Sequence, residues 1–271
     1  IASRVANDRL GAIIPFYEML AETDAAEVEA VFSELGPDTI AKFLFTSGST
    51  GVPKAVINTQ AMLCINQEQR LATWPFLEHH PPVVVDWLPW SHTFGGNHNF
   101  AMTLRFGGTM YIDHGKPVAP LFATTIENIK KVRPNISFNV PRGYAMLVEA
   151  MADDVELRQC FFENLKFIFY AAAALPQNLW DTLVEMSVDT IGRPLPIVSG
   201  FGMSETGPLA MECCFQTERS GNIGLPIPGV ELKLVDNGEK QELRIRAPNV
   251  TPGYWKQPDV TAQAFDSEGF Y

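Results

Sequence analysis

Residues 46–54 read Thr-Ser-Gly-Ser-Thr-Gly-Val-Pro-Lys and follow directly on the apolar run Phe43-Leu44-Phe45. Glycine lets the backbone curl so that successive N–H groups converge on an anion. Thr46, Ser47, Ser49 and Thr50 each bring a hydroxyl donor to that curl, Gly48 and Gly51 give it freedom, and Lys54 adds a cation. The pattern is that of a loop that holds polyphosphate. A Walker A loop needs Gly, four residues, then Gly-Lys-Ser/Thr opening a helix. Here Pro53 precedes the lysine and Ala55 stands where a magnesium-binding hydroxyl belongs, which argues against that device. Read alone, the segment is equally a Ser/Gly-rich linker. The strand-like run before it and Lys54-Ala55-Val56-Ile57-Asn58 after it place it between ordered elements.

The flanking pattern predicts an α/β fold of layered sheets with flanking helices. Asp24 to Leu35 reads as a helix capped by Asp24, with Val28, Val31, Phe32 and Leu35 on one apolar face. Ala41 to Phe45 reads as a buried strand and Thr59 to Leu71 as a helix. Val83 to Val85, Thr109 to Ile112, Ile136 to Val140, Phe167 to Tyr170 and Ile197 to Ser199 read as further strands. A Gly-rich loop separates the first two of these, and a helix near Pro120 to Val132 follows the second. The last two strands end in small residues, where a ligand can approach backbone. From Gly221 the texture changes to short alternating runs, Val230 to Leu234 and Glu242 to Arg246, between Pro and Gly: a C-terminal antiparallel β segment. The expected division is therefore an α/β core over 1–220 and a β-rich part over 221–271.

The chain has 271 residues, 46% of them hydrophobic, which is enough for a large core. A formal charge of -11, with 20 basic residues against 31 acidic ones, argues against non-specific nucleic-acid binding, so an anionic ligand must be met locally. Cys64, Cys160, Cys213 and Cys214 have no CxxC spacing and suggest neither zinc nor a disulfide framework; reduced thiols in the cytoplasm are expected. No apolar run approaches the roughly 18 residues of a membrane span, and the first residues do not resemble a signal peptide. The absence of a starting methionine is what an excised piece would show. Oligomeric state is not written in these patterns.

A second constellation is Phe201-Gly202-Met203-Ser204-Glu205-Thr206-Gly207, at the end of the Ile197 to Ser199 strand. A carboxylate there can share a magnesium ion with bound phosphate while a neighbouring hydroxyl contacts the phosphate. Ser-Glu-Thr before an apolar run is equally a helix cap. His92 and His98 can be read as metal ligands, but they lack the i,i+4 spacing and a companion cysteine.

The two motifs in this order resemble the adenylate-forming superfamily of acyl- and aryl-CoA ligases, amino-acid-activating domains and luciferases, whose large-domain core binds AMP. Trp87-Leu88-Pro89-Trp90-Ser91-His92, the run Ala171 to Pro176, Gly221 to Gly229 and Pro248 to Phe265 also match, so the resemblance covers nearly the whole chain. It implies ATP, Mg2+ and CoA as cofactor and co-substrates and a small carboxylic acid as the group activated. It implies that residues 46–54 (Thr46, Ser47, Gly48, Ser49, Thr50, Gly51 and Lys54 among them) hold the β- and γ-phosphates, that Ser204 touches the α-phosphate, and that Glu205 ligates magnesium. Phe201 would pack on adenine, and Gly202 and Met203 would border the nucleotide. Ala172, Ala173 and Ala174 match the segment that approaches adenine and lines the acyl pocket, although Ala174 replaces a proline usual in that run.

His92 would border the carboxylate pocket, with Phe94, Ala172 and Gly200 in its lining. Amino-acid-activating domains carry an aspartate just beyond that position, and Thr93 stands there instead, so a plain carboxylic acid is expected. Within the superfamily, Val56 to Gln60, Asp86 to Phe100 and Phe138 to Tyr144 are similar to feruloyl-CoA synthetases, which implies a hydroxycinnamate substrate. The alternatives are a non-catalytic nucleotide-binding module and an adenylation domain that loads another carboxylate onto a carrier protein. The family continues into a ribose-binding aspartate, a hinge and a small lysine-bearing domain, and it places a long segment before the phosphate loop. The resemblance therefore implies the middle of a longer enzyme, weakly active or inactive by itself.

Overall fold

The computed structural model describes residues 24–46 and 53–271. Ser47, Gly48, Ser49, Thr50 and Gly51, expected to cradle phosphate, lie outside the described residues.

Helix α1 (Ala25–Ser33) starts where expected, with Asp24 Oδ1 accepting the Ala26 N–H at 2.9 Å. Its expected apolar face is not buried: Val31 is 58% and Phe32 64% exposed, and no residue of the helix is buried. Strands β1 (Ile40–Thr46) and β2 (Lys54–Thr59) pair antiparallel as a two-stranded ribbon, with Thr46 opposite Lys54, and β2 adds an isolated bridge from Val56 to Tyr254. The two ends of the hydroxyl-rich loop are thus clamped together. The expectation of a buried β1 fails for the same reason. In a two-stranded ribbon only one face is covered, so Leu44 is buried while Phe45 is 71% exposed.

Helix α2 (Gln60–Thr73) is capped by Thr59, whose Oγ1 accepts the Met62 N–H at 3.3 Å. Its buried face is largely polar: Asn66, Gln67, Gln69 and Arg70 are all at most 5% exposed. Gln67 donates to the Asn97 carbonyl, Gln69 to Asn249 and Arg70 to Glu212, so three of those side chains tie α2 to other segments, while Asn66 donates to Gln69 within the helix.

Strand β3 (Val83–Asp86) pairs parallel with β4 (Thr109–Ile112). The stretch between them is helical rather than the Gly-rich loop expected: a π-helical turn over Phe94–Phe100 runs into α3 (Ala101–Arg105). A Cβ at Gly96 would sit 2.3 Å from the Trp90 carbonyl oxygen, so glycine is what lets this turn lie against the chain before it. Trp90 is 46% exposed and rests on Phe100 with ring centroids 4.5 Å apart.

After α4 (Phe122–Val132), strands β5 (Ile136–Asn139), β6 (Phe167–Tyr170) and β7 (Ile197–Gly202) form the parallel part of a five-stranded sheet. Helices α5 (Pro141–Asp153) and α6 (Val155–Phe162) connect β5 to β6, and α7 (Gln177–Ile191) connects β6 to β7. Parallel strands require such crossovers. Strand β8 (Leu209–Cys213) then turns back antiparallel to β7, and the short β9 (Leu225–Pro226) completes the sheet. The period of two along β6 sorts its side chains between two cores. Phe167 and Phe169 join Trp74, Phe94 and Phe138, while Ile168 and Tyr170 join Tyr144, Phe161 and Leu183.

Strands β10 (Glu231–Asn237) and β11 (Lys240–Arg246) form the expected antiparallel hairpin, followed by α8 (Pro258–Ala264). Val230 and Ile245 pack into the core that holds Phe94 and Phe169. Among the described residues no helix is long and apolar enough to cross a membrane.

Candidate functional site

The parallel strands β6 and β7 end side by side, and a crevice outside the carboxyl ends of parallel strands is where ligands bind in open α/β sheets. After β6 the chain makes a sharp bend through Ala171–Ala174, with Ala172 at φ 72°, a left-handed conformation that costs a non-glycine residue about 1–3 kcal/mol. Strand β7 ends in Gly200-Phe201-Gly202. A Cβ at Gly202 would fall 1.7 Å from the Pro208 carbonyl oxygen, so β7 and β8 meet there only because the side chain is absent.

Between them, Ser204–Thr206 form one 3-10 turn rather than the cap of a longer helix. The Met203 N–H donates to Thr206 Oγ1 at 2.9 Å, and buried Asn249 donates to the carbonyls of Thr206 and Leu209. Gln69 of α2 donates in turn to Asn249 Oδ1 at 3.0 Å. The turn is therefore held from outside by side chains.

That clamping presents Glu205 and Ser204. Glu205 is buried; its Oε1 accepts the Tyr254 O–H at 3.0 Å and its carbonyl accepts the Thr251 N–H at 2.7 Å. Tyr254 lies 2.9 Å, oxygen to oxygen, from Tyr271. Burial, then the bond to Tyr271 and the charge of Glu205, push the Tyr254 phenol well above its ordinary pKa, so it stays a donor. Lys54 places its ammonium 4.9 Å from the centroid of the Tyr254 ring. The lysine of the first motif and the carboxylate of the second thus share one tyrosine. Ser204, half-buried, has no hydrogen bond from its hydroxyl to the described residues, which leaves it free for a ligand.

A cavity of about 60 Å³ opens beside this turn. It brings together five of the sequence-predicted residues, His92, Phe94, Ala172, Gly200 and Gly202, and adds His98, Phe169 and Leu209. His92 and Ala172 are exposed at its rim, whereas Phe94, His98 and Phe169 are buried. His92 Nδ1 accepts the Phe94 N–H at 3.2 Å, so a neutral ring carries its proton on Nε2. Thr93 is buried and its hydroxyl accepts from Asn97, which also donates to Asn58 at 2.6 Å. Ala173 and Ala174 are exposed on the bend and do not line the cavity; Phe201 is half-buried on β7 and Met203 on the turn.

Asn249, Thr251 and Tyr254 carried no role in the sequence reading, although all three lie in the Pro248 to Phe265 stretch that matched the family. His98 entered only as a candidate metal ligand. Among the described residues no three His, Cys, Asp or Glu side chains cluster to hold a metal ion. His98 is instead a cavity wall, stacked on Phe169 at 5.3 Å.

The class of protein that this fold and site define agrees with the family comparison. The model of the AMP-binding enzyme family matches residues 7–255, and the chain belongs to that family. The long-chain-fatty-acid–CoA ligase of Escherichia coli O157:H7 is 30% identical over 244 residues, which are 86% of this chain and 41% of the ligase. The feruloyl-CoA synthase of Amycolatopsis sp is 28% identical over 260 residues, 92% of this chain and 49% of the synthase. A malonyl-CoA ligase solved with methylmalonyl-CoA and AMP bound superimposes with a TM-score of 0.72 at 26% identity, over 87% of this chain and 49% of that one. The chain thus spans less than half the length of each of these relatives.

Proposed function

We propose that the protein carrying this chain is an ATP-dependent acid–thiol ligase that activates a carboxylic acid as its acyl adenylate and passes the acyl group to CoA. The observation that carries this reading is the adjacency of a rimmed cavity at the ends of β6 and β7 to the turn that presents Ser204 and Glu205. The chemical obstacle is that a carboxylate must attack the anionic α-phosphorus of ATP. Hydrogen-bond donors and cations on the leaving pyrophosphate lower that barrier, and alignment of the acid supplies the rest.

In this reading the donors of Thr46, Ser47, Gly48, Ser49, Thr50 and Gly51 and the charge of Lys54 hold the β- and γ-phosphates. Ser204 donates to the α-phosphate, Phe201 with Gly202 and Met203 borders adenosine, and the bend Ala172 to Ala174 approaches it from the other side. His92, at the cavity rim with Nε2–H outward from its own backbone contact, orients the carboxylate. Magnesium usually takes only one or two protein carboxylates and completes its shell with phosphate oxygens and water. A single buried Glu205, fixed through one oxygen by Tyr254, fits that requirement. The ion would neutralise phosphate charge. The carboxylate oxygen forms the new bond to phosphorus as pyrophosphate leaves; the thiol of CoA then attacks the carbonyl carbon and AMP leaves.

For the acid, an aromatic hydroxycinnamate such as ferulate is the reading supported by the aromatic cavity walls Phe94 and Phe169 and by the similarity to a feruloyl-CoA synthase. Thr93, uncharged and already engaged by Asn97, offers no counter-charge to an α-ammonium group. ATP–pyrophosphate exchange by the complete protein with ferulate, coumarate, benzoate, a fatty acid and an amino acid tests this. Exchange driven by the aromatic acids is expected, and exchange with the amino acid alone would refute it.

A further inference from the structure

The buried end of the cavity carries one unspent hydrogen-bonding atom whose character can be deduced. Asn99 donates its Nδ2 to Asp86 Oδ2 at 2.9 Å, which fixes the amide so that Oδ1 faces the other way. That Oδ1 lies 2.8 Å from His98 Nδ1. An amide oxygen only accepts, so His98 carries its hydrogen on Nδ1 and leaves Nε2 as a bare acceptor. Burial, reinforced by the charge of Arg70, lowers the His98 pKa to about 3, so the ring stays neutral. His98 is 2% exposed, lines the cavity, and its Nε2 has no partner among the described residues. Trp74, whose ring centroid is 6.1 Å from that of His98, likewise has no partner for its Nε1–H among the described residues.

An unpartnered polar group in such a place is costly, and a ligand that satisfies it is recognised by doing so. An alkyl tail cannot donate to His98 Nε2. A distal carboxylate would face a lone pair with its own. A hydroxyl both donates and accepts. The rim-to-floor direction gives the orientation: His92 and Ala172 are exposed, and Phe94, His98 and Phe169 are buried. An acid with its carboxylate at His92 sends its far end to His98, between Phe94 and Phe169, whose ring centroids lie 5.8 and 5.3 Å from that of His98.

We infer that His98 is a specificity-determining residue that accepts a hydrogen bond, through Nε2, from a ring hydroxyl at the far end of an aromatic acid. This rests on the ligase reading for the identity of the acid, and it is tested by equilibrium binding, which needs no turnover. Calorimetry on the complete protein compares cinnamate, 3- and 4-hydroxycinnamate and the corresponding methyl ethers, with wild type, His98→Gln and His98→Leu. In wild type the better hydroxy acid should bind about tenfold more tightly than cinnamate or its own ether. His98→Leu should abolish that preference while cinnamate still binds, and His98→Gln, whose amide oxygen accepts, should retain part of it. No preference for a hydroxy acid in wild type would overturn the inference even if His98→Leu fails to fold. So would a preference that survives His98→Leu. Absence of pyrophosphate exchange with every acid would instead refute the ligase reading, and the binding series would still decide the hydroxyl contact.

Discussion

Tyr254 donates its phenolic hydrogen to Glu205 Oε1 across 3.0 Å, joining a segment near residue 250 to the turn at the end of β7. The same ring lies under the Lys54 ammonium. Glu205 is thereby fixed in direction through Oε1.

Removing that hydroxyl should loosen the carboxylate without deleting it. Tyr254→Phe is expected to raise the concentration of magnesium–ATP needed for half-maximal exchange by roughly three- to tenfold, the worth of one hydrogen bond. Glu205→Gln should cost roughly 10²-fold or more in rate, in line with loss of a group acting on developing charge. Steady-state exchange at varied magnesium–ATP checks both, and equal effects of the two substitutions would contradict the order proposed.

Arg70 and Glu212 form a fully buried pair, 2.6 Å apart with each side chain 1% exposed. Arg70 also lies 3.7 Å above the Trp74 ring. Removing one partner strands a charge in the core. Arg70→Met should destabilise by about 3–5 kcal/mol, and Arg70→Met combined with Glu212→Leu should recover most of that. Urea midpoints at unchanged slope read the difference.

Asp86 and His98, bridged by Asn99, pull stability in opposite directions with pH. Burial raises the Asp86 pKa to about 6 and lowers that of His98 to about 3. Between about pH 4 and 6 the folded state holds the Asp86 proton more tightly than the unfolded chain, so this group makes stability fall as pH rises. Below about pH 6.5 the unfolded chain protonates His98 and the folded state does not, so this group makes stability fall as pH drops. Each slope is at most about 1.4 kcal/mol per pH unit. Relative to wild type, Asp86→Asn should make unfolding free energy fall more steeply on acidification from pH 6 to 4, and His98→Gln should make it fall less steeply or rise. Parallel pH profiles for all three proteins would exclude the assignment.

Much of this fold is legible because it rests on local patterns. The Thr59 cap, the apolar runs of β6 and β7 and the alternating β10 and β11 all obey short-range rules. Burial of β1 was not legible, since Phe43 and Phe45 look like core residues and their exposure depends on β1 having only β2 as a strand partner among the described residues. The π-helical turn was hidden because Gly95 and Gly96 read as a loop until the carbonyls of Pro89 and Trp90 are placed against them. In the site, His92, Phe94, Ala172 and Gly200 line one cavity. Tyr254 and Asn249 could not be found from spacing, because their partners Glu205 and Thr206 lie more than forty residues away in the chain.

Isotope transfer tests the central claim most directly. The complete protein is incubated with ATP, magnesium, CoA and a hydroxycinnamate labelled with ¹⁸O in both carboxylate oxygens, and the AMP is analysed by mass. If the carboxylate oxygen attacks the α-phosphorus and the thiol then displaces AMP at the carbonyl carbon, each AMP carries one ¹⁸O. AMP formed without label, or thioester formed with ADP and phosphate instead, would contradict the account.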